Sequence, residues 1–311
     1  MKTMNKVFCA VLAMILALGM TGIATADTAW TAAAPNGAPA LSLAMVMKDN
    51  PGAVTLVAAD TIAAEFSKGE SDFLIAPINA GAKLFKAGKS TYLLAAVVTW
   101  GNLVFASQKE GFKAEDMNGA TITLFGENTI NASIALYALE KNGITPDSVE
   151  YLAGAAETQS LLLTDADAIV MTAEPAVTAA KVKNENVTSI AVNDLYKQAT
   201  GLDGFTQAGL FVKKATAEEK PEMTQEFLRL AKASCDACET DVTAVAEAAV
   251  ALEILKNTKI AEAAIPNCNV RYAPATEVRE QIETTAGIDL KQYGGELPAD
   301  DFYYAANDAT P

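Results

Sequence analysis

Asp72-Phe73-Leu74-Ile75-Ala76-Pro77-Ile78-Asn79-Ala80 reads as one structural step. The apolar run Phe73-Leu74-Ile75-Ala76 is too short for a helix and has strand character. Pro77 breaks it, and a helical pattern follows over 79–87. The step recurs on both sides. Strand-like runs at 54–58, 92–98, 121–124, 149–152 and 168–171 alternate with helical patterns at 38–48, 128–142, 157–163 and 175–183. Such repetition predicts an α/β protein, with parallel sheets covered by helices. From Ala217 to Ala264 the pattern is almost wholly helical and ends at Ile265-Pro266. No repeat, low-complexity tract or long linker interrupts the chain, so any second body is reached by short crossings. Two extended apolar runs lead from one block to the next: Leu103-Val104-Phe105-Ala106-Ser107 and Gly209-Leu210-Phe211-Val212-Lys213. Each fits a crossing strand or an ordinary sheet strand.

Composition narrows the function. The 311 residues are 51% hydrophobic and 20% charged, as in a folded globular protein. With 23 basic against 38 acidic residues the formal charge is -15, which repels a phosphate backbone and makes nucleic acid an unexpected partner. The sequence has 0 histidines, which removes the commonest general acid and base near neutrality and the commonest zinc ligand. Most hydrolase and metalloenzyme readings weaken accordingly. No cofactor or metal is expected.

The amino terminus reads as an address. Lys2 and Lys6 precede an uncharged apolar stretch over 7–23, and Ala24-Thr25-Ala26 has the small-x-small form that signal peptidases cut. Residues 1–26 are therefore expected to be a cleavable signal peptide, with the mature chain beginning at Asp27. Cys9 lies too early, and Asp27 stands where a lipid-anchored form would carry cysteine, so there is no lipobox. The expected location is the periplasm or the medium. Loss of Cys9 leaves Cys235, Cys238 and Cys268. An oxidising compartment permits one disulfide among them, and a structural bridge from Cys268 to the Cys235/Cys238 pair is expected. Cys235-Asp-Ala-Cys238 has the spacing of a redox pair without an aromatic-Cys-Gly-Pro context, and zinc would lack a fourth ligand.

Several strings taken together resemble the substrate-binding proteins of ABC importers. The branch is the one that groups nitrate, sulfonate, taurine and thiamine-precursor binders. The strings are Gly37-Ala38-Pro39-Ala40-Leu41, Asp72 through Ala80, Thr99-Trp100-Gly101-Asn102, Ala173-Glu174-Pro175-Ala176-Val177-Thr178-Ala179-Ala180, Ile265-Pro266-Asn267-Cys268-Asn269 and Gly294-Gly295-Glu296-Leu297-Pro298. The resemblance runs from about Pro35 to Tyr304. It implies the type II periplasmic-binding-protein fold: two α/β lobes joined by two crossing strands, with the helical C-terminal part packed on the first lobe. Lobe 1 would comprise 27–105 and 209–311, and lobe 2 would be 106–208. It also implies a monomer that binds a small-molecule solute in the interlobe cleft, closes by a hinge and meets an ABC permease with its ATPase. The chain departs from relatives that clamp a carboxylate with a mid-chain arginine, because its only arginines are Arg229, Arg271 and Arg279.

Ligands of open parallel sheets sit beyond the carboxyl ends of strands, where helix N-termini present free N–H groups. That rule selects five loops. Gly37, Ala38 and Pro39 combine close backbone approach with a helix start. Pro77 and Asn79 follow a strand, and Asn79 is either a cap or a contact. Trp100, Gly101 and Asn102 offer a flat aromatic beside a crossing, with core packing as the alternative for Trp100. Trp30 is a bystander. Gly126, Asn128 and Thr129 supply donors, beside Glu127. Glu174 before Pro175 is a helix cap or a ligand acceptor. None of these loops holds Lys or Arg, which favours a heteroaromatic or amine-bearing solute over a strong anion. A secreted enzyme on the same fold is an alternative, with Glu127 and Glu174 as its acid and base. A sensor presenting its closed form to a receptor is another.

Overall fold

The computed structural model describes residues 29–305. The expected signal peptide and its cleavage site lie outside them. Eleven strands form two sheets: β1 Ala32–Pro35, β2 Val54–Val57, β3 Phe73–Pro77, β4 Tyr92–Thr99, β5 Leu103–Ser107, β6 Thr121–Phe125, β7 Ser148–Leu152, β8 Ile169–Ala173, β9 Thr188–Ala191, β10 Ala208–Lys213 and β11 Val270–Pro274. The first sheet has the order β11-β4-β10-β3-β1-β2 and the second β7-β6-β8-β5-β9. The helices are α1 Ala44–Asp49, α2 Ile62–Lys68, α3 Ile78–Lys86, α4 Ile130–Lys141, α5 Ala155–Thr164, α6 Ala176–Lys183, α7 Val192–Thr200, α8 Lys214–Glu219, α9 Pro221–Thr240, α10 Val242–Ala251, α11 Thr258–Ala264 and α12 Arg279–Ile288.

The sheets are mixed rather than purely parallel. In the first, β1 runs parallel to β2 and β3, whereas β10 runs antiparallel to both β3 and β4. In the second, β6 runs parallel to β7 and β8, whereas β5 runs antiparallel to β8 and β9. The cause is the path of the chain. β4 leaves the first sheet for the second and β10 returns from it, so the two run in opposite directions. Leu103 pairs with Ala173 and Val104 with Ala191, so residues 103–105 belong to the second sheet, not to the first lobe as expected. The runs proposed as crossings are thus ordinary sheet strands, and the passages lie just before them.

Both sheets are buried on both faces, as apolar strands covered by helices require. Phe73 and Ile75 enter one core while Leu74 and Ala76 enter the core on the opposite face. Leu103 and Phe105 divide from Val104 and Ala106 in the same way. The helical last third covers the first sheet. Thr224, Phe227, Leu228, Ala231, Ser234, Cys235 and Cys238 form the buried stripe of α9, at helical spacing. Phe227 stacks on Phe73 with centroids 3.8 Å apart and meets Trp30 edge-on at 4.6 Å. Trp30 is therefore a core residue.

The expected disulfide is not formed. Cys235, Cys238 and Cys268 are free, buried thiols within this core. Cys235 Sγ donates to the Ser42 carbonyl at 3.6 Å, and Cys238 Sγ to the Leu41 carbonyl at 3.7 Å. Burial pushes all three thiols up, Cys238 to about 12, so none is poised as a thiolate.

Candidate functional site

Two short passages join the sheets. Trp100-Gly101-Asn102 leads from β4 to β5, and residues 201–207 return from α7 to β10. They are tied together: Gln207 N donates to the Thr99 carbonyl at 3.0 Å, and Ala208 N to Thr99 Oγ1 at 2.8 Å. Gly101 has φ 83, and a Cβ there would lie 2.5 Å from the Phe205 ring. Glycine is required at this position by both backbone and space.

The remaining candidates lie on the loops that follow β1 and β3 in the first sheet and β6 and β8 in the second. Gly37, at φ 110, follows β1, and the half-buried Pro39 is the second residue of the 3-10 helix Ala38–Leu43. That 3-10 helix precedes α1, so the single helix expected over 38–48 is two elements. Ala38 is buried. Pro77 sits at the N-cap of α3, and Ile78 N donates to the Gln207 carbonyl at 3.1 Å. Asn79 is half-buried inside the first turn rather than at the cap.

In the second sheet, Gly126 at φ 71 and Asn128 at φ 58 turn the chain from β6 into α4. Thr129 caps that helix, its Oγ1 accepting from Ala132 N at 3.5 Å and donating to the Gly126 carbonyl at 2.6 Å. Glu127 is exposed. Glu174 is buried beside the first passage, where Asn102 and Glu174 exchange two hydrogen bonds of 2.9 Å, one through the Asn102 amide. The Glu174 carboxylate accepts from Thr178 Oγ1 at 3.0 Å and from Thr178 N at 3.4 Å. Burial raises its pKa, against the lowering effect of those bonds and of Lys181.

The lobes touch around these loops. Gln292 Nε2 donates to the Asn128 carbonyl at 2.8 Å, Ser133 Oγ to Asp289 Oδ2 at 2.7 Å, and Gln207 Nε2 to Asn131 Oδ1 at 3.4 Å. Gln207, Asp289 and Gln292 carry no motif and are reached only through the fold. Trp100 is placed differently from the other candidates. Its ring is 5% exposed, its Nε1 donates to the Arg271 carbonyl at 2.9 Å, and the Arg271 guanidinium covers the ring at 4.4 Å from the centroid. It borders a cavity of about 370 Å³ with Asn193, Asp203, Glu239, Asn269 and Arg271, on the β11 side of the passages.

The comparisons agree with this architecture. Residues 92–241 match the family described as NMT1/THI5 like. An ABC transporter protein from Parabacteroides distasonis is similar at TM-score 0.75 and 20% identity, over 90% of this chain and 99% of that one. The periplasmic aliphatic sulphonate binding protein SsuA from Escherichia coli is similar at TM-score 0.68 and 14% identity, over 89% and 92%. The ligand binding component of an ABC-type import system from Staphylococcus aureus gives TM-score 0.68 at 13% identity, over 89% and 96%. No curated protein matches the chain. The sheet order, the two passages and these likenesses together give the chain the type II periplasmic-binding-protein fold, with an NMT1/THI5-like pattern over residues 92–241.

Proposed function

We propose that the protein is the exported solute-binding component of an ABC importer, which captures a small organic solute between its lobes and delivers it to a membrane permease with its ATPase. The observation that carries this reading is that two sheets joined by two short passages meet at the loop after β6, where Gln292 Nε2 donates to the Asn128 carbonyl at 2.8 Å and Ser133 Oγ to Asp289 Oδ2 at 2.7 Å. Ligand held there bridges both bodies, so binding and closure are one event. Gly37, Ala38, Pro39, Pro77 and Asn79 contact the solute from the first lobe. Gly126, Asn128, Thr129 and Glu174 contact it from the second. Their chemistry is backbone N–H, amide and hydroxyl with one carboxylate and no basic side chain, which suits a neutral or amine-bearing solute. The protein acts by binding, without chemistry on the solute.

Native mass spectrometry of protein purified from its own host is expected to show one retained small molecule. Small-angle scattering is expected to show expansion when that molecule is removed and compaction when it is restored. Multiple turnovers of the molecule to a new product, lost in Glu174→Gln, would overturn the reading.

A further inference from the structure

The Gly101 carbonyl accepts two side-chain amides, one from each lobe. Asn269 Nδ2, next to the start of β11, lies 2.5 Å from it. Asn193 Nδ2, in the first turn of α7, lies 3.1 Å from it and 2.8 Å from the Trp100 carbonyl. Each amide is set by its own lobe. Asn269 is held at φ 51, and its carbonyl accepts from Trp100 N at 3.0 Å. Asn193 follows Val192, which is buried in the core of the second sheet. Its Oδ1 is buried with no hydrogen-bond partner, so its polar contact here is made through the donor alone.

The gripped segment has no room to slide. A Cβ at Gly101 would lie 2.6 Å from Asn193 Oδ1, and one at Gly204 of the return passage would lie 2.6 Å from the Trp100 carbonyl. A hinge turns on the φ and ψ of a few such residues. When one lobe rotates against the other, a single carbonyl cannot keep two donors that ride on different bodies.

We infer that Asn193 and Asn269 form a clasp on the Gly101 carbonyl, which holds the lobes in the arrangement seen here and sets how often they open. The inference rests on the lobe closure proposed above. A solute that needs this arrangement binds with an affinity scaled by its population, so the clasp tunes affinity without touching solute.

The test measures an interlobe distance by pulsed electron paramagnetic resonance. Asp60→Cys and Ala153→Cys introduce label sites at exposed positions after β2 and β7, the outer strands farthest from the passages, while the native thiols stay buried. Asn193→Ala removes one donor. Asn269→Gly removes the other and keeps the left-handed backbone, so a folding failure of one variant leaves the second to decide. Each folded variant is expected to move the open-to-closed ratio by roughly three- to tenfold toward longer distances. Folded variants with the wild-type distribution would overturn the clasp. If wild type shows two populations that the variants leave unmoved, only the clasp fails. If wild type and variants alike give one fixed distance, as purified and after refolding, the reading that the protein works by lobe closure fails with it.

Discussion

The Arg271 guanidinium lies over the Trp100 indole at 4.4 Å, and the indole Nε1 donates to the Arg271 carbonyl at 2.9 Å. One residue of β11 thus covers both a face and the edge of the same ring, and Trp100 acts as a joint between β4, β11 and the first passage. Trp100→Phe keeps an aromatic body and loses the Nε1 bond. A cost of about 1 kcal/mol is expected in urea unfolding. An unchanged midpoint would show that the bond contributes nothing net.

Gly101→Ala tests the passage itself. The new Cβ would add strain at φ 83 and a contact at 2.5 Å with a buried Phe205. Left-handed strain and overpacking each cost roughly 1 to 3 kcal/mol. A combined loss of about 2 to 6 kcal/mol, or failure to fold, is expected from equilibrium unfolding, and a neutral result would mean that the passage relaxes freely.

Glu174 makes a pH prediction. Its carboxyl has a raised pKa in the folded chain, chiefly through burial. The folded state therefore keeps its proton over a pH range in which the unfolded state has lost it, and stability falls as pH rises from the ordinary carboxylate value of about 4.3 toward the folded value. Glu174→Gln removes that decline. Denaturant midpoints followed from pH 3 to pH 7, both about the range over which carboxylates titrate, are expected to favour the variant increasingly toward the upper end. Parallel curves would argue against a buried titrating carboxyl.

Phe227→Ala removes a ring sandwiched between Phe73 and Trp30. The expected cost is about 3 to 5 kcal/mol, from lost burial and the cavity left behind. Thermal and urea unfolding measure it, and a cost below about 1 kcal/mol would mean that α9 closes the gap.

Thiol reagents distinguish the buried cysteines from the bridge expected at first. Cys235, Cys238 and Cys268 are expected to resist labelling in native protein and all to react once it is denatured without reductant, because burial disfavours each thiolate. One reactive thiol among the three after denaturation would indicate a disulfide.

By itself the sequence determined the elements and the fold class. Periodicity and β-prone runs are local properties, so β3, β4, β6 and β8 and the helical character of the segment holding α9 were legible from residues close in the chain. Gly37, Pro77, Gly126 and Glu174 lie on loops after β1, β3, β6 and β8, where a helix start is visible in the local sequence. The short strands β1, β9 and β11 carry no local strand signal of that kind. Ala32–Pro35 in particular has little β-propensity, and it is the sheet that imposes its extended form. Tertiary structure alone decided which contacts join the lobes. Asn193 and Asn269 stand 92 and 168 residues from Gly101, and no local pattern marks an asparagine that will meet a carbonyl at that remove. It also decided the antiparallel sense of β5 and β10. Strand direction follows from where the chain re-enters a sheet, and that is fixed only when the two sheets have been assembled edge to edge.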